Sequence, residues 1–255
     1  MNRVAAIYDI HANLPSLEAV LLEIRACDVD LIVVGGDVLP GPMPRETLEC
    51  LLALDTPVRF LMGNGDRETV ATWRGEVPKS VPEPVRPVVR WNAEQLAPQA
   101  VSEIETWPPT ISIDIDGIGL VLFCHATPRN DTDIFTRLTP EERLAPIFDG
   151  VNAALVVCGH THMQFDRTIG RTRVVNAGSV GMAFGAPGAY WLLLAPDATL
   201  RRTAYDPEKA AERIKATQYP QANEFAEQNV LKTPSESDVL AAFARAELKS
   251  RYNAM

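Results

Sequence analysis

The chain has 255 residues, 46% of them hydrophobic, and a formal net charge of −9. That is enough apolar material for one sizeable core, or one core with an appendage. The acidic balance argues against a nucleic-acid scaffold, which would carry a basic face, but not against a phosphate substrate, because bound metals reverse the local field.

Arg3 to Tyr8 reads as a buried strand, and a helix is expected to start at Asn13 to Pro15, with Leu17, Val20, Leu21 and Ile24 at helical spacing. Leu31 to Val34 is a second strand; its β-branched run without alternation predicts burial on both faces. Pro44 to Leu54 reads as a helix and Val58 to Met62 as a third strand, so the chain opens β-α-β-α-β, the start of an α/β sheet. Residues 67–109 break that rhythm with seven prolines and three tryptophans. They are expected to form loops and short helices capping one end of the core, where loops over a strand-end site select substrate.

Thr110 to Ile115 and Ile118 to Phe123 flank Asp116-Gly117, a hairpin signal. Thr139-Pro140-Glu141-Glu142 predicts a helix start with Thr139 as cap and Pro140 first in the helix. Strands are expected at Leu155 to Cys158, Phe165 to Ile169, Thr172 to Val175, Tyr190 to Ala195 and Leu200 to Tyr205, with a second hairpin at Gly170-Arg171. Asp206-Pro207-Glu208 and Thr233-Pro234-Ser235-Glu236 are further helix starts, and Val239, Leu240, Phe243, Ala246 and Leu248 give the last helix an apolar stripe. The organisation expected is a domain over 1–205 carrying the 67–109 insertion, then a helical extension over 206–255. That extension packs on the core or on a second subunit of a homo-oligomer.

No apolar run approaches the roughly 20 residues of a membrane span. The chain enters its first strand by Val4, so no signal peptide is expected and the expected location is cytoplasmic. Cys27, Cys50, Cys124 and Cys158 are too few and too scattered for a disulfide framework. Cys124 and Cys158 read as small buried hydrophobes at strand ends.

All four histidines follow strand-like runs: His11 in Asp9-Ile10-His11, His125 after Leu120 to Cys124, and His160 and His162 after Val156-Val157-Cys158-Gly159. Read as a strand end, His160 and His162 would point the same way. Two more runs end in oxygen ligands, Asp37 after Gly35-Gly36 and Asn64 after Gly63. Ligand-type residues at several strand ends are where open α/β sheets place their sites. Carboxylate, amide and imidazole together suit Mn, Fe, Co, Ni or Zn. Seven ligands exceed one ordinary transition metal and match two that share a carboxylate. Two divalent ions about 3.5–4 Å apart clamp a phosphoryl group and deprotonate a shared water.

Asp9-Ile10-His11, Gly36-Asp37 with Gly41, Gly63-Asn64, His125 and Gly159-His160-Thr161-His162 stand in an order that resembles the calcineurin-like metallophosphoesterase superfamily. The resemblance covers residues 4 to about 180. The Asp9 to Pro15 opening and Asn176-Ala177-Gly178-Ser179-Val180-Gly181 look like its small bacterial and archaeal phosphodiesterase branch. It implies an α/β four-layer sandwich of two packed mixed β-sheets flanked by helices. It also implies that Asp9, His11 and His162 hold one divalent ion, that Asn64, His125 and His160 hold a second, and that Asp37 bridges them.

The implied activity is hydrolysis of small or cyclic phosphodiesters by a hydroxide between the metals. The alternatives are a phosphomonoesterase, including a protein serine/threonine phosphatase, and a non-enzymatic scaffold like the retromer subunit that resembles this branch with a degraded site. Many members carry histidine after the asparagine as a leaving-group acid; this chain has Gly65. A histidine introduced there is expected to help poorer leaving groups if the ring fits. Asp66 is a substitute acid or, by its preference for such positions, a helix N-cap. Asn13 and Arg67 are candidate phosphate contacts, the alternatives being a cap and a solvated charge.

Overall fold

The computed structural model describes residues 1–252, with side chains through Arg245. Ten strands form two five-stranded mixed sheets among the described residues. In the first, β1 (Val4–Ile7), β2 (Leu31–Val34) and β3 (Val58–Phe60) run parallel, and β9 (Ala189–Leu194) and β10 (Ala198–Thr203) complete it in the order β10-β9-β1-β2-β3. The second is β4-β5-β6-β8-β7, with β5 (Gly119–Cys124), β6 (Leu155–Cys158) and β8 (Thr172–Asn176) parallel. Antiparallel β4 (Thr110–Ile115) and β7 (Phe165–Ile169) close its edges.

The period-2 alternation of the strands distributes side chains between layers. Val4, Ala6, Leu31 and Val33 from the first sheet share one buried cluster with Ile113, Val121, Phe123, Leu155 and Val157 from the second. Ala5, Ile7, Ile32 and Val34 point the other way, onto α1 (Leu14–Ala26) and α2 (Pro44–Leu52). Val156 and Cys158 back onto Leu144 and Phe148 of α6 (Glu141–Phe148). The result is helices, sheet, sheet, helix, and β2 is buried on both faces as its composition predicts.

The insertion carries short helices, as expected. It contains α3 (Asn64–Trp73), α4 (Arg86–Gln95) and α5 (Pro98–Ile104). Pro87 and Pro98 sit in first helical turns, where the missing N–H is an orphan in any case, so they open helices rather than break them. Val88, Val101, Ile104 and Trp107 join the core. Two predicted helix starts move. Pro140, extended, precedes Glu141 as the cap of α6, while Thr139 accepts the Thr136 N–H instead. The N-cap of α3 is Gly63, which puts Asp66 third in the helix.

After β10, α7 (Pro207–Lys215), α8 (Ala222–Phe225) and a π-helical turn over Ala226–Leu231 bury Ala210, Ile214, Phe225 and Val230 in the cluster that α1 shares. The chain ends in α9 (Glu236–Tyr252). The stripe residues Ala246 and Leu248 lie outside the residues whose side chains are described. No helix among the described residues is long and apolar enough to cross a membrane.

Phe123 is fully buried between the sheets. Phe123→Ala is expected to destabilise the chain by about 3–5 kcal/mol, read from the denaturant midpoint at unchanged slope.

Candidate metal centre

The ligand-type residues come together at one rim, formed by the carboxyl ends of the parallel strands. Asp9 and His11 follow β1, Asp37 follows β2, Asn64 opens α3 after β3, His125 directly follows β5, and His160 and His162 follow β6. Two groups form, Asp9–His11–His162 and Asp37–His125–His160, and within each the ligand atoms lie within 4.8 Å of one another. One end of the Asn64 amide is 3.0 Å from His160 Nδ1 and 3.2 Å from His125 Nε2, which places it with the second group.

The backbone achieves this by leaving strand geometry. Asp9, His11, Asp37, His160 and His162 all have φ between 47° and 64°. His160 and His162 therefore do not share a face as a strand would impose. Each left-handed residue reverses the chain locally, and the two imidazoles enter different groups. Gly159 is required beside them, because a Cβ there would lie 2.5 Å from Asp9 Oδ2.

Three imidazoles are oriented from behind. His11 Nδ1 faces Pro40 O at 3.2 Å, His162 Nδ1 faces Met182 O at 2.8 Å, and His125 Nδ1 faces Gly35 O at 2.9 Å. A carbonyl only accepts, so each Nδ1 carries the hydrogen and each Nε2, in the neutral ring, turns its lone pair to the centre. The Nε2 atoms of His11 and His162 then oppose each other at 3.2 Å. Asp9 Oδ1 is buried without a hydrogen bond, its near neighbours being His162 Nε2 at 3.3 Å and His125 Nε2 at 3.9 Å. Facing lone pairs and an orphaned carboxylate oxygen are what a cation relieves, so the residues present fit a metal.

The buried carboxylates draw positive charge to the centre, here as a proton on His125. Burial opposes charge on Asp37, yet His125 and His11 hold its carboxyl well below the usual range. Burial likewise opposes a proton on His125, but Asp37 and Asp9 push it up to about 10. Burial, and then the neighbouring His125, bring His160 down to about 4. Cys124 and Cys158, buried beside the rim, are pushed up by burial and stay inert thiols.

Residues 2–197 match the family model of the calcineurin-like phosphoesterase superfamily domain. The chain belongs to this superfamily. Among solved structures it is similar to a metallophosphoesterase from Sphaerobacter thermophilus, at 25% identity and a TM-score of 0.70, over 91% of this chain and 99% of that one. A hypothetical protein from Pyrococcus horikoshii OT3 shares the fold at 19% identity and a TM-score of 0.77, over 92% of this chain and 100% of that one. No curated protein matches the chain.

Against the superfamily pattern, the remaining candidate residues divide. Asn13 is fully buried: its Oδ1 accepts the Ser16 N–H as the cap of α1, and its amide donates to Gly181 O at 2.9 Å. Those bonds describe a cap, not a phosphate contact. Arg67 is held bidentately by Asp131, at 2.7 and 3.1 Å, rather than free in solvent. It lines a cavity of about 430 Å³ with His125, Thr127, Arg129 and Asn130. Asp66 accepts from the N–H groups of Leu39 and Gly63; burial and the adjacent Asp37 push its carboxyl up to about 8.

Sequence reading missed Asp131 and the orienting carbonyls of Gly35, Pro40 and Met182. Carbonyls belong to every residue and leave no signal, whereas Asp131 is one ordinary surface-type acid among many.

Gly65 leaves no room for a ring. A Cβ would lie 2.3 Å from Leu39 O, 2.9 Å from Pro40 Cδ and 3.1 Å from Asp37 Oδ1, and the Gly65 N–H donates to Asp37 at 2.7 Å. Because the closest obstacle is backbone, the expected benefit of a histidine there is withdrawn. Gly65→His should instead lower stability by about 1–3 kcal/mol, as overpacking does, and weaken metal binding with no gain on poor leaving groups. Thermal unfolding and metal titration of the purified variant check this.

Proposed function

We propose that this superfamily member is a dinuclear metal-dependent phosphodiesterase acting on small or cyclic phosphodiesters. The carrying observation is the position of Asp37: Oδ1 is 3.5 Å from His125 Nε2 and Oδ2 is 3.9 Å from His11 Nε2, so its two oxygens face the two ligand groups. Asp9, His11 and His162 would hold one ion, Asn64, His125 and His160 the other, and Asp37 would bridge. Two such ions supply a nucleophile from water at neutral pH and polarise the phosphoryl oxygens. Carboxylate, amide and imidazole suit Mn, Fe, Co, Ni or Zn, and manganese is the first ion to test.

The protein's own part is orientation. The carbonyls behind His11, His125 and His162 fix their tautomers, and the Gly65 N–H fixes Asp37. Arg67, half-exposed at the edge of the cavity beside His125, offers a guanidinium to a second ester oxygen if Asp131 yields it. The scaffold alternative requires a degraded site, and all seven positions carry ligand-type residues here.

The diester preference follows from what is missing. All four histidines lie in the ligand groups, Gly65 stands where many relatives carry a histidine, and Asp66, although its carboxyl is pushed up to about 8, is fully buried and turned to the backbone N–H groups of Leu39 and Gly63. A positioned general acid contributes typically about 10²–10⁴-fold. Aryl and cyclic diesters need it least, because an aryl oxide leaves without a proton and ring strain assists the other.

Two outcomes are expected. Asp37→Asn, which spoils the shared oxygens, should lower turnover by more than the roughly 10–100-fold typical of losing an outer-shell partner, with circular dichroism unchanged; near-normal rates would remove Asp37 from the bridge. On a panel of aryl diesters, cyclic nucleotides and alkyl monoesters, kcat/KM should favour the first two by at least about 100-fold. Faster hydrolysis of alkyl monoesters would establish the monoesterase instead.

A further inference from the structure

We infer that the C-terminal segment from Thr233 to Phe243 is a positioning element for one half of the metal centre, acting on His162 through Phe184. The inference rests on the assignment of Asp9, His11 and His162 as a metal-holding group. It concerns a part of the chain beyond the 2–197 span that matches the family model.

His162 has a left-handed backbone, with φ of 58°. Such a residue stays in place only where its surroundings over-determine it. Two of its supports come from one loop: Met182 O takes its Nδ1–H at 2.8 Å, and the Phe184 ring stacks on the imidazole, centroids 5.1 Å apart and planes 16° from parallel.

That loop is in turn strapped by the end of the chain. The Gly185 N–H donates to Pro234 O at 2.9 Å, and the Thr233 hydroxyl donates to Gly185 O at 2.6 Å. Phe243 of α9 meets Phe184 edge-on, centroids 6.3 Å apart. Arg137 pairs with Glu236 at the start of the same helix. The contacts therefore run from α9 to Phe184 to His162. Among the described residues, no hydrogen bond, ion pair or ring contact joins Thr233–Phe243 to Asp37, Asn64, His125 or His160.

Most residues of α9 whose side chains are described are exposed, and Val239, Leu240 and Phe243 are partly covered. The arrangement is selective. Loosening the strap should loosen the ion held by Asp9, His11 and His162 and leave the other in place.

The test uses the full chain and the variants Phe184→Ala, Phe243→Ala and Phe243→Leu. Each is titrated with Mn(II) by calorimetry. In protein stripped of metal, the His162 Nδ1–H proton is followed by NMR. The wild-type chain should show two binding events. Both alanine variants should weaken one event by about 10-fold, within the range for outer-shell partners, and leave the other within about twofold. Phe243→Leu should restore most of the loss, since an apolar contact is all that is required. The His162 proton should exchange faster with solvent in both alanine variants at unchanged Tm.

Wild-type affinities for both events, or equal weakening of both, would overturn the inference. So would an unchanged His162 proton in Phe243→Ala. If the wild-type chain binds none of Mn(II), Fe(II), Co(II), Ni(II) and Zn(II), the two-metal reading fails, and the His162 proton alone decides whether the strap positions that ring.

Discussion

The rest of this structure depends on a concentration of charge that cannot be solvated. Asp9 and Asp37 are almost fully buried, with four imidazoles around them, and a third carboxyl, Asp66, is fully buried behind Asp37. Withdrawing a carboxylate from water costs several kcal/mol unless partners replace the lost hydration. Asp37 and Asp9 find theirs in imidazoles and backbone N–H groups: Gly65 donates to Asp37, and His160 donates to Asp9. Asp66 has only two N–H groups and a negative neighbour, which is why its carboxyl holds a proton up to about 8. A cluster with two ionised carboxylates, lone pairs turned inward and a third carboxyl resisting ionisation is arranged around positive charge.

The same constraint explains the backbone. Non-glycine residues in left-handed conformation are disfavoured by about 1–2 kcal/mol each, yet five of the seven such residues among those described, Asp9, His11, Asp37, His160 and His162, belong to the two candidate ligand groups. Bonds between adjacent strand ends oppose that cost. Asp9 N–H donates to Gly36 O, His11 N–H to Asp37 O, Gly181 N–H to Asp9 O, and the Ser179 hydroxyl to Asp9 O. Each rim segment is held by the next, so the strained turns persist collectively. The Asn176-to-Gly181 stretch, which looked in sequence like a family signature, is the piece that ties β8 back to Asp9.

What the sequence disclosed follows the same physics. Strand cores were legible because unbroken apolar runs such as Leu31 to Val34 admit one explanation, burial on both faces. The ligand residues were legible because histidine, aspartate and asparagine are conspicuous after such runs. Geometry past the strand ends was not. Strand periodicity put His160 and His162 on one face, whereas their backbone dihedrals, which no composition rule supplies, send them to separate groups. The short helices expected in the proline-rich insertion are there, but their starts were not placed, because proline marks a helix start as readily as a break, and Pro87 and Pro98 mark starts. Gly65 was identified as a departure from the family pattern, but that Leu39 O blocks any side chain there could only be measured.

Both ligand groups straddle the two sheets. Asp9 and His11 come from the first sheet and His162 from the second; Asp37 comes from the first, and His125 and His160 from the second. Elsewhere the sheets meet largely through apolar packing, Phe123 and Val157 against Val4, Val33 and Leu192, with a few directional ties such as the Tyr8 hydroxyl donating to Val157 O. Such packing tolerates small slips that a ligand set does not. Metal binding at the rim would therefore be linked to the registry of the two sheets. An ion that binds only the correctly docked sheets adds to the stability of that docking, by about 2.7 kcal/mol at a free concentration 100 times its Kd. The apolar layer brings the sheets together, and an ion held from both would favour the docking in which each group closes.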